Sequence, residues 1–284
     1  MEQMGILGPR GTHSEAAAVK LNEISAEKME IVIYSEIFDA LNAVEEKKID
    51  AAFVPVENSL EGSVNITLDT LAHSDNFIVT QELIYPVHNF LMTKSGVELS
   101  AVKKVFSHSQ PISQCRKFLQ KNLPHAEIIL TSSTARAAEI VAQSEISEGC
   151  AAICSERAGE LNGLQILAEE IQDNLSNSTR FLEVRRRPKN FNVYETFGDK
   201  NFIICQIDGS RAGALYEVLG EFARRNVNMT RIESRPARTE LGAYIFFFDL
   251  EVDNFRQQLF ESVEAVRSKS IWLKNLGIFP VLNV

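Results

Sequence analysis

Short apolar runs alternate with stretches of helical spacing through the first two-thirds of the chain, and no other feature restricts the fold as strongly. The runs at 4–7 (MGIL), 30–34 (EIVIY), 49–54 (IDAAFV), 77–92, 102–106 (VKKVF), 126–130 (AEIIL), 150–153 (CAAI) and 179–185 predict strands. Between them Ile37, Leu41 and Val44 recur at helical spacing, and 14–22, 110–121 and 133–143 predict further helices. Alternation of this kind implies an α/β domain with largely parallel sheets.

Residues 185–200, RRRPKNFNVYETFGDK, break the pattern. They are charged, contain Pro188 and Gly198, and show no period. A linker is expected at 186–199, dividing a domain over 1–185 from a second over 200–284. Two domains suit 284 residues, at roughly 150 residues each. Beyond the linker, strand 201–207 leads to a helix from about 213 to 225 whose stripe is Leu215, Val218, Leu219 and Phe222. Strands at 228–234 and 242–252, a helix carrying Phe255, Leu259, Val263 and Val266, and a strand over 271–281 complete a β-α-β-β-α-β order. That order is ferredoxin-like, and such a module usually binds or oligomerises.

Composition removes several classes of function. Hydrophobic residues make up 45%, enough for a sizeable core. A formal charge of -9 argues against nucleic acid, so any anion site must be locally positive. The four cysteines, Cys115, Cys150, Cys154 and Cys205, form no CxxC pair, and the histidines show no metal spacing, so neither a metal site nor a disulfide framework is expected. Free thiols fit a reducing cytoplasm. MEQMGILGPRGTHSE shows no signal-peptide pattern, and no apolar stretch approaches the ~20 residues of a membrane helix.

Several predicted strands run straight into polar or glycine residues with a helix next: GPRGTHSE, PVENSLEGSVN, SHSQ, TSST and CSER. Ligands bind at the carboxyl ends of strands in open α/β sheets, where helix N-termini offer free N–H groups to anions. Ser107, Ser132 and Ser133 would bring hydroxyls to such a cleft, and Gln110 an amide. Capping competes at each junction, since Thr12-x-x-Glu15 and Ser107-x-x-Gln110 match the capping box. The density of junctions favours a ligand site. GPRG is not a phosphate loop, because neither GxxxxGK[ST] nor GxGxxG occurs.

Glu57 and Asn58 directly follow an apolar strand, and Gly62 permits a tight turn. A carboxylate beside an amide suits orientation of a substrate hydroxyl; a solvated turn fits the spacing equally well. In NSTRFLEV (177–184) Thr179 shares a strand face with Phe181, and Arg180 with Leu182 and Val184. Alone, Thr179 is an ordinary strand residue. Arg180 fits a solvated strand end, a partner for a nearby carboxylate, or a bidentate substrate clamp. Glu169, Glu170, Asp173 and Asn174 read as a solvated acidic patch.

GPRGTHSEAA, VPVENSLEGSVN, SHSQPISQC, AEEIQDNLSNSTRFLEV, GALYEVLGEF and IESRP, in that order, resemble the prephenate dehydratases of bacterial phenylalanine synthesis over almost the whole chain. The second module resembles an ACT domain, a small amino-acid-sensing fold. The resemblance implies a catalytic domain like the two-lobed type II periplasmic-binding proteins, with crossovers near 80 and 175 and the site between lobes. It implies a carbon–oxygen lyase that turns prephenate into phenylpyruvate, carbon dioxide and water with no cofactor or metal. Thr179 would assist departure of the hydroxyl, with Glu57, Asn58 and Gln110 in the supporting network. Arg180 and the strand-end turns, with Ser107, Ser132 and Ser133, would hold the substrate, and Phe181 would shape the wall. Phenylalanine would inhibit at Gly213, Ala214, Leu215, Asn228, Glu233, Ser234, Arg235 and Pro236, in a homodimer or homotetramer. The chain departs from the family at His13 (often aromatic), Ser109 (commonly proline), Cys154 (frequently alanine) and Ala212 (often proline).

Two rival readings remain beside this one. Arogenate, with an amine in place of the ketone, is one alternative substrate. An amino-acid-responsive binding protein without catalysis is the other, and the TRF and ENS motifs count against it.

Overall fold

A computed structural model describes residues 1–239, 242–252 and 256–284; Phe255, expected in the last helix, lies outside the described residues. In chain order the elements are β1 (Gln3–Leu7), α1 (His13–Ile24), β2 (Glu30–Tyr34), α2 (Ile37–Glu45), β3 (Ala51–Asn58), β4 (Gly62–Ser63), α3 (Asn65–His73), β5 (Phe77–Pro86), β6 (Phe90–Thr93), β7 (Lys104–Ser107), α4 (Ser109–Gln114), α5 (Arg116–Asn122), β8 (Glu127–Leu130), α6 (Thr134–Gln143), β9 (Cys150–Cys154), α7 (Glu156–Leu161), β10 (Gln165–Ala168), β11 (Ser178–Arg186), β12 (Lys200–Ile207), α8 (Ala214–Arg224), β13 (Met229–Pro236), β14 (Tyr244–Glu251), α9 (Arg256–Arg267), β15 (Ser270–Phe279) and β16 (Val281–Asn283). Two compact units result. The first holds Met1–Ala40, Glu57–Gly62 and Tyr85–Arg180; the second holds Leu41–Val56, Ser63–Ile84 and Phe181–Val284.

In the first unit β1 and β2 pair in parallel, and a separate mixed sheet runs β10-β6-β9-β7-β8. Its central strand β9, CAAIC, is buried at every position. Ala151 and Ile153 join one core with Cys115 and Leu119, while Cys150, Ala152 and Cys154 join another with Ala137, Ala138 and Val141. Both faces of β9 are covered, which is why its sequence is a continuous apolar run.

The expected helix over 110–121 is two helices, broken at Cys115 (φ -108, ψ 20). The cause is remote in sequence. Asp173 donates its backbone N–H to the Gln114 carbonyl at 2.6 Å, and its carboxylate accepts from Lys117 N–H at 3.1 Å. Helical hydrogen bonding is diverted at that point. The expected strand over 77–92 is also two, β5 and β6. At the break Val87 N–H donates to Asn177 O at 2.9 Å and Asn89 N–H to Gln172 Oε1 at 2.9 Å.

In the second unit β16, β5, β11 and β3 lie in that order, and the Phe53 and Phe181 rings stack with centroids 5.0 Å apart. The C-terminal module is a four-stranded antiparallel sheet, β13-β14-β12-β15, the ferredoxin-like order. Val218 and Phe222 of α8 and Leu259, Val263 and Val266 of α9 are buried in its core, with Leu215 and Leu219 packed at the margin. The expected last strand, 271–281, divides at Pro280, which has no N–H to give. Past it β16 leaves the module's sheet and pairs in parallel with β5. Lys200 and Glu82 cross-link the same region at 2.6 Å, with the carboxylate fully buried.

Candidate active site

A cavity of about 290 Å³ opens in the first unit where several strand ends and helix starts meet. It is lined by Thr12, His13 and Ser14 at the start of α1, Asn58 at the end of β3, and Val87 and Asn89 between β5 and β6. His108, Gln110, Pro111 and Gln114 around α4, Ser132, Ser133 and Thr134 at the start of α6, and Asn177 and Thr179 at the start of β11 complete it. No lysine, arginine, aspartate or glutamate is among these residues. Hydroxyls, amides and the N-termini of α1 and α6 provide its polarity, and such helix ends favour anions.

Capping and cavity lining prove compatible at these junctions. Ser133 Oγ accepts the Arg136 N–H at 3.0 Å and caps α6 while lining the cavity. Thr12 Oγ1 accepts the Glu15 N–H at 3.4 Å, and Glu15 accepts the Gly11 N–H at 2.5 Å. The second expected capping box is absent. Ser107 is buried as the last residue of β7 and donates to Ile153 O at 2.7 Å, so it ties β7 to β9. His108 Nδ1 caps α4 instead.

The ends of β3 and β11 carry the most directional polar contacts. Asn58 Nδ2 donates to Thr179 Oγ1 at 3.0 Å and to Asn177 Oδ1 at 2.9 Å. Asn58 Oδ1 accepts the N–H groups of Leu60 and Glu61 at 3.0 and 3.1 Å, which fixes the amide's orientation. The Thr179 oxygen is therefore an acceptor from Asn58, leaving its own proton for another partner.

Strand alternation sends the neighbouring residues elsewhere. Arg180 Nη1 meets Glu57 Oε2 at 2.5 Å, the side chains being 16% and 29% exposed. Neither residue lines the cavity. Of the three roles open to Arg180, the geometry has it paired with a carboxylate. Phe181 is buried against Phe53 and is not part of the cavity wall. The structure thus brings together Thr179, Asn58, Gln110, Ser132 and Ser133, and sets Glu57, Arg180, Phe181 and Ser107 apart from them.

The prephenate dehydratase family matches residues 4–189, and the ACT domain family matches residues 204–261. This chain belongs to the prephenate dehydratase family. It is 34% identical over 281 residues to a prephenate dehydratase of Methanocaldococcus jannaschii, covering 97% of both chains. A solved prephenate dehydratase from Arthrobacter aurescens, in complex with L-Phe, superposes with a TM-score of 0.85 at 33% identity, covering 98% of this chain and 89% of that one. A solved chain described as a quorum-quenching acylase, GqqA, superposes with a TM-score of 0.84 at 25% identity, covering 98% and 97%. Function must accordingly be argued from the site as well as the fold.

Sequence reading missed several wall residues of this prephenate dehydratase-family cavity. Asn89 is fully buried and donates to Gln114 Oε1 at 3.4 Å. Nothing local in HNF or SQC marks the pair, because their meeting depends on how β6 and α4 pack. His13, a departure from the family pattern, also lines the cavity. Its Nε2 is enclosed with no hydrogen-bond partner. Burial, with the charge of His88, lowers its pKa to about 4, so the ring is neutral near pH 7. Among the described residues no group of three or more His, Cys, Asp or Glu could hold a metal. No helix among them is long and apolar enough to cross a membrane.

In the ACT module a second cavity, about 310 Å³, opens at the N-terminus of α8. Gly213 stands at its mouth with φ +82, a left-handed conformation that suits glycine, and Ala214 and Leu215 also line it. The other expected effector residues are elsewhere. Asn228 donates to Glu251 at 2.6 Å. Glu233 and Arg235 on β13 reach Ser63 and Asp69. Ser234 and Pro236 pair with Phe246 and Tyr244 across the sheet. None of these five residues lines the cavity, but β13 lies directly beside two residues that do, Tyr244 and Phe246.

Proposed function

We propose that this chain dehydrates and decarboxylates prephenate to phenylpyruvate in the cavity at Asn58 and Thr179, under control by phenylalanine. The ring carboxylate leaves as carbon dioxide, and its bonding pair enters the ring. The C–O bond across the ring breaks, and the departing oxygen takes a proton to leave as water. Hydroxide is a poor leaving group, so a donor at that oxygen is what the enzyme must supply. Thr179 is that donor: its hydroxyl proton goes to the departing oxygen, and a proton from solvent replaces it. The observation that carries this reading is the Asn58-to-Thr179 hydrogen bond, which occupies the threonine oxygen and frees its proton. Donation by the amide also polarises the hydroxyl.

The substrate's two carboxylates meet the N-termini of α1 and α6 and the amides of Gln110 and Gln114, in place of the arginine clamp. Ser132 and Ser133 add hydroxyls. The absence of any carboxylate from the lining supports prephenate over arogenate, whose ammonium would be desolvated without a counter-charge.

Residues 1–185 form the catalytic domain and 200–284 the regulatory one, joined by 186–199. Phenylalanine binds at Gly213–Leu215, its carboxylate at the N-terminus of α8, which no side chain caps. The L-Phe complex of the Arthrobacter relative supports this choice of effector. The protein works as a homodimer or homotetramer in the cytoplasm; four free, buried cysteines suit a reducing compartment.

The test is incubation of purified protein with prephenate and, in parallel, arogenate, following phenylpyruvate and phenylalanine formation. Phenylpyruvate release well above the spontaneous rate is expected, with arogenate turned over far more slowly. No release above that rate removes the enzymatic reading.

A further inference from the structure

The turn after Asn58 is built on the same side chain that donates to Thr179, because Asn58 Oδ1 holds the N–H groups of Leu60 and Glu61. Ser63 follows that turn directly, and it is gripped from the ACT strand β13. Arg231 Nη2 donates to Ser63 Oγ at 2.7 Å, and Ser63 Oγ donates to Glu233 Oε2 at 2.8 Å. The Arg231 side chain is only 8% exposed. Further along, Asp69 in α3 accepts from Arg235 Nε and Nη2, at 3.0 and 2.8 Å, and from Arg238 at 2.5 Å. Burial pushes the Asp69 carboxyl up, but the hydrogen bond and charge of Arg235, with Arg238, outweigh it and hold it below its ordinary value. Arg231, Glu233 and Arg235 alternate along one face of β13.

Apolar packing would fasten these segments without sensing direction. Charge-assisted hydrogen bonds are directional and weaken with a small shift of either partner. A serine that both accepts from an arginine and donates to a glutamate has its position and hydroxyl orientation set by that strand.

We propose that Ser63 is a positioning residue for Asn58, through which Arg231 and Glu233 set the hydrogen bond to Thr179, so that movement of β13 changes turnover. The proposal rests on the reading of the cavity as the dehydratase site and of the ACT module as its phenylalanine sensor. Thermodynamic coupling between two sites requires an element whose position both bias, and β13 with the 59–63 segment has that form.

The experiment compares full-length wild type, Ser63→Ala and Ser63→Thr for kcat, KM and phenylalanine inhibition, with thermal melts as a check on folding. Ser63→Ala is expected to lower kcat about tenfold at little-changed KM and to raise the inhibitory phenylalanine concentration about tenfold. Ser63→Thr keeps the hydroxyl and is expected to restore both. A wild-type kcat in Ser63→Ala, or a wild-type inhibition curve, overturns the proposal, as does failure of Ser63→Thr to rescue while its melt is unchanged. Wild-type protein that does not turn over prephenate would sink the dehydratase reading. Wild type that does, but ignores phenylalanine, would sink the sensor reading, and kcat of the two variants then decides the positioning role.

Discussion

Asn58 and Thr179, 121 positions apart, share a 3.0 Å hydrogen bond in which the amide donates and the hydroxyl oxygen accepts. The direction matters more than the distance, because it leaves the threonine with a proton to give. Thr179→Ala is expected to reduce kcat about a hundredfold or more with the melting temperature little changed, and Thr179→Ser to keep part of the activity. Single-turnover kinetics on prephenate measure this. Near-normal turnover in the alanine variant would remove Thr179 from the chemistry.

Asn58→Asp replaces the donating amide with an acceptor and brings charge into a lining that has none. A fall in kcat of about tenfold or more is expected, with the fold retained by circular dichroism. Wild-type kcat in this variant would mean that Thr179 needs no donor.

Arg180 and Glu57 form a partly shielded ion pair outside the cavity. Arg180→Met and Glu57→Gln are each expected to cost about 1 kcal/mol in urea unfolding, and the double variant little more than one of them, since either change alone ends the pairing. KM should move in parallel in the two single variants. A large KM increase confined to Arg180→Met would return Arg180 to the substrate.

His13 has its pKa lowered to about 4 from the ordinary 6.5. As pH falls through that window the unfolded chain takes up a proton that the folded chain refuses. Stability is therefore full above about pH 6.5 and declines toward pH 4. His13→Phe has no such group, so its melting temperature should fall less between pH 7 and pH 5 than that of wild type. Equal losses in differential scanning calorimetry would mean that His13 does not drive this part of acid sensitivity.

A chain ending at residue 185 loses Lys200, which pairs with the fully buried Glu82, and β16, which pairs with β5. A weakened buried ion-pair site and an uncovered strand edge should lower its melting temperature markedly or make it aggregate. Size-exclusion chromatography and a thermal melt decide this; full-length stability in the short chain would show the two contacts to be dispensable.

Strands such as β9 were legible because burial on both faces demands an unbroken apolar run, and the sequence CAAIC meets that demand locally. The polar strand ends marked the cavity for the same reason: a helix start needs a cap wherever it occurs, and Thr12 and Ser133 are good caps. The break at Cys115 was not legible, since it depends on Asp173, which SQC cannot reveal. Asn89 and Gln114 escaped because neither is polar in a pattern.

By itself the sequence determined where apolar periodicity changes, which strand ends are polar, and that β-α-β-β-α-β follows a charged linker, because all of these are set by near neighbours along the chain. It left Arg180 with three roles, and only the family resemblance put Glu233 and Arg235 near the effector. Only the tertiary structure decided that Thr179 meets Asn58, that Arg180 meets Glu57, and that Glu233 and Arg235 reach Ser63 and Asp69. Those choices turn on contacts across more than a hundred residues, where directional hydrogen bonds select one partner among many that are chemically alike.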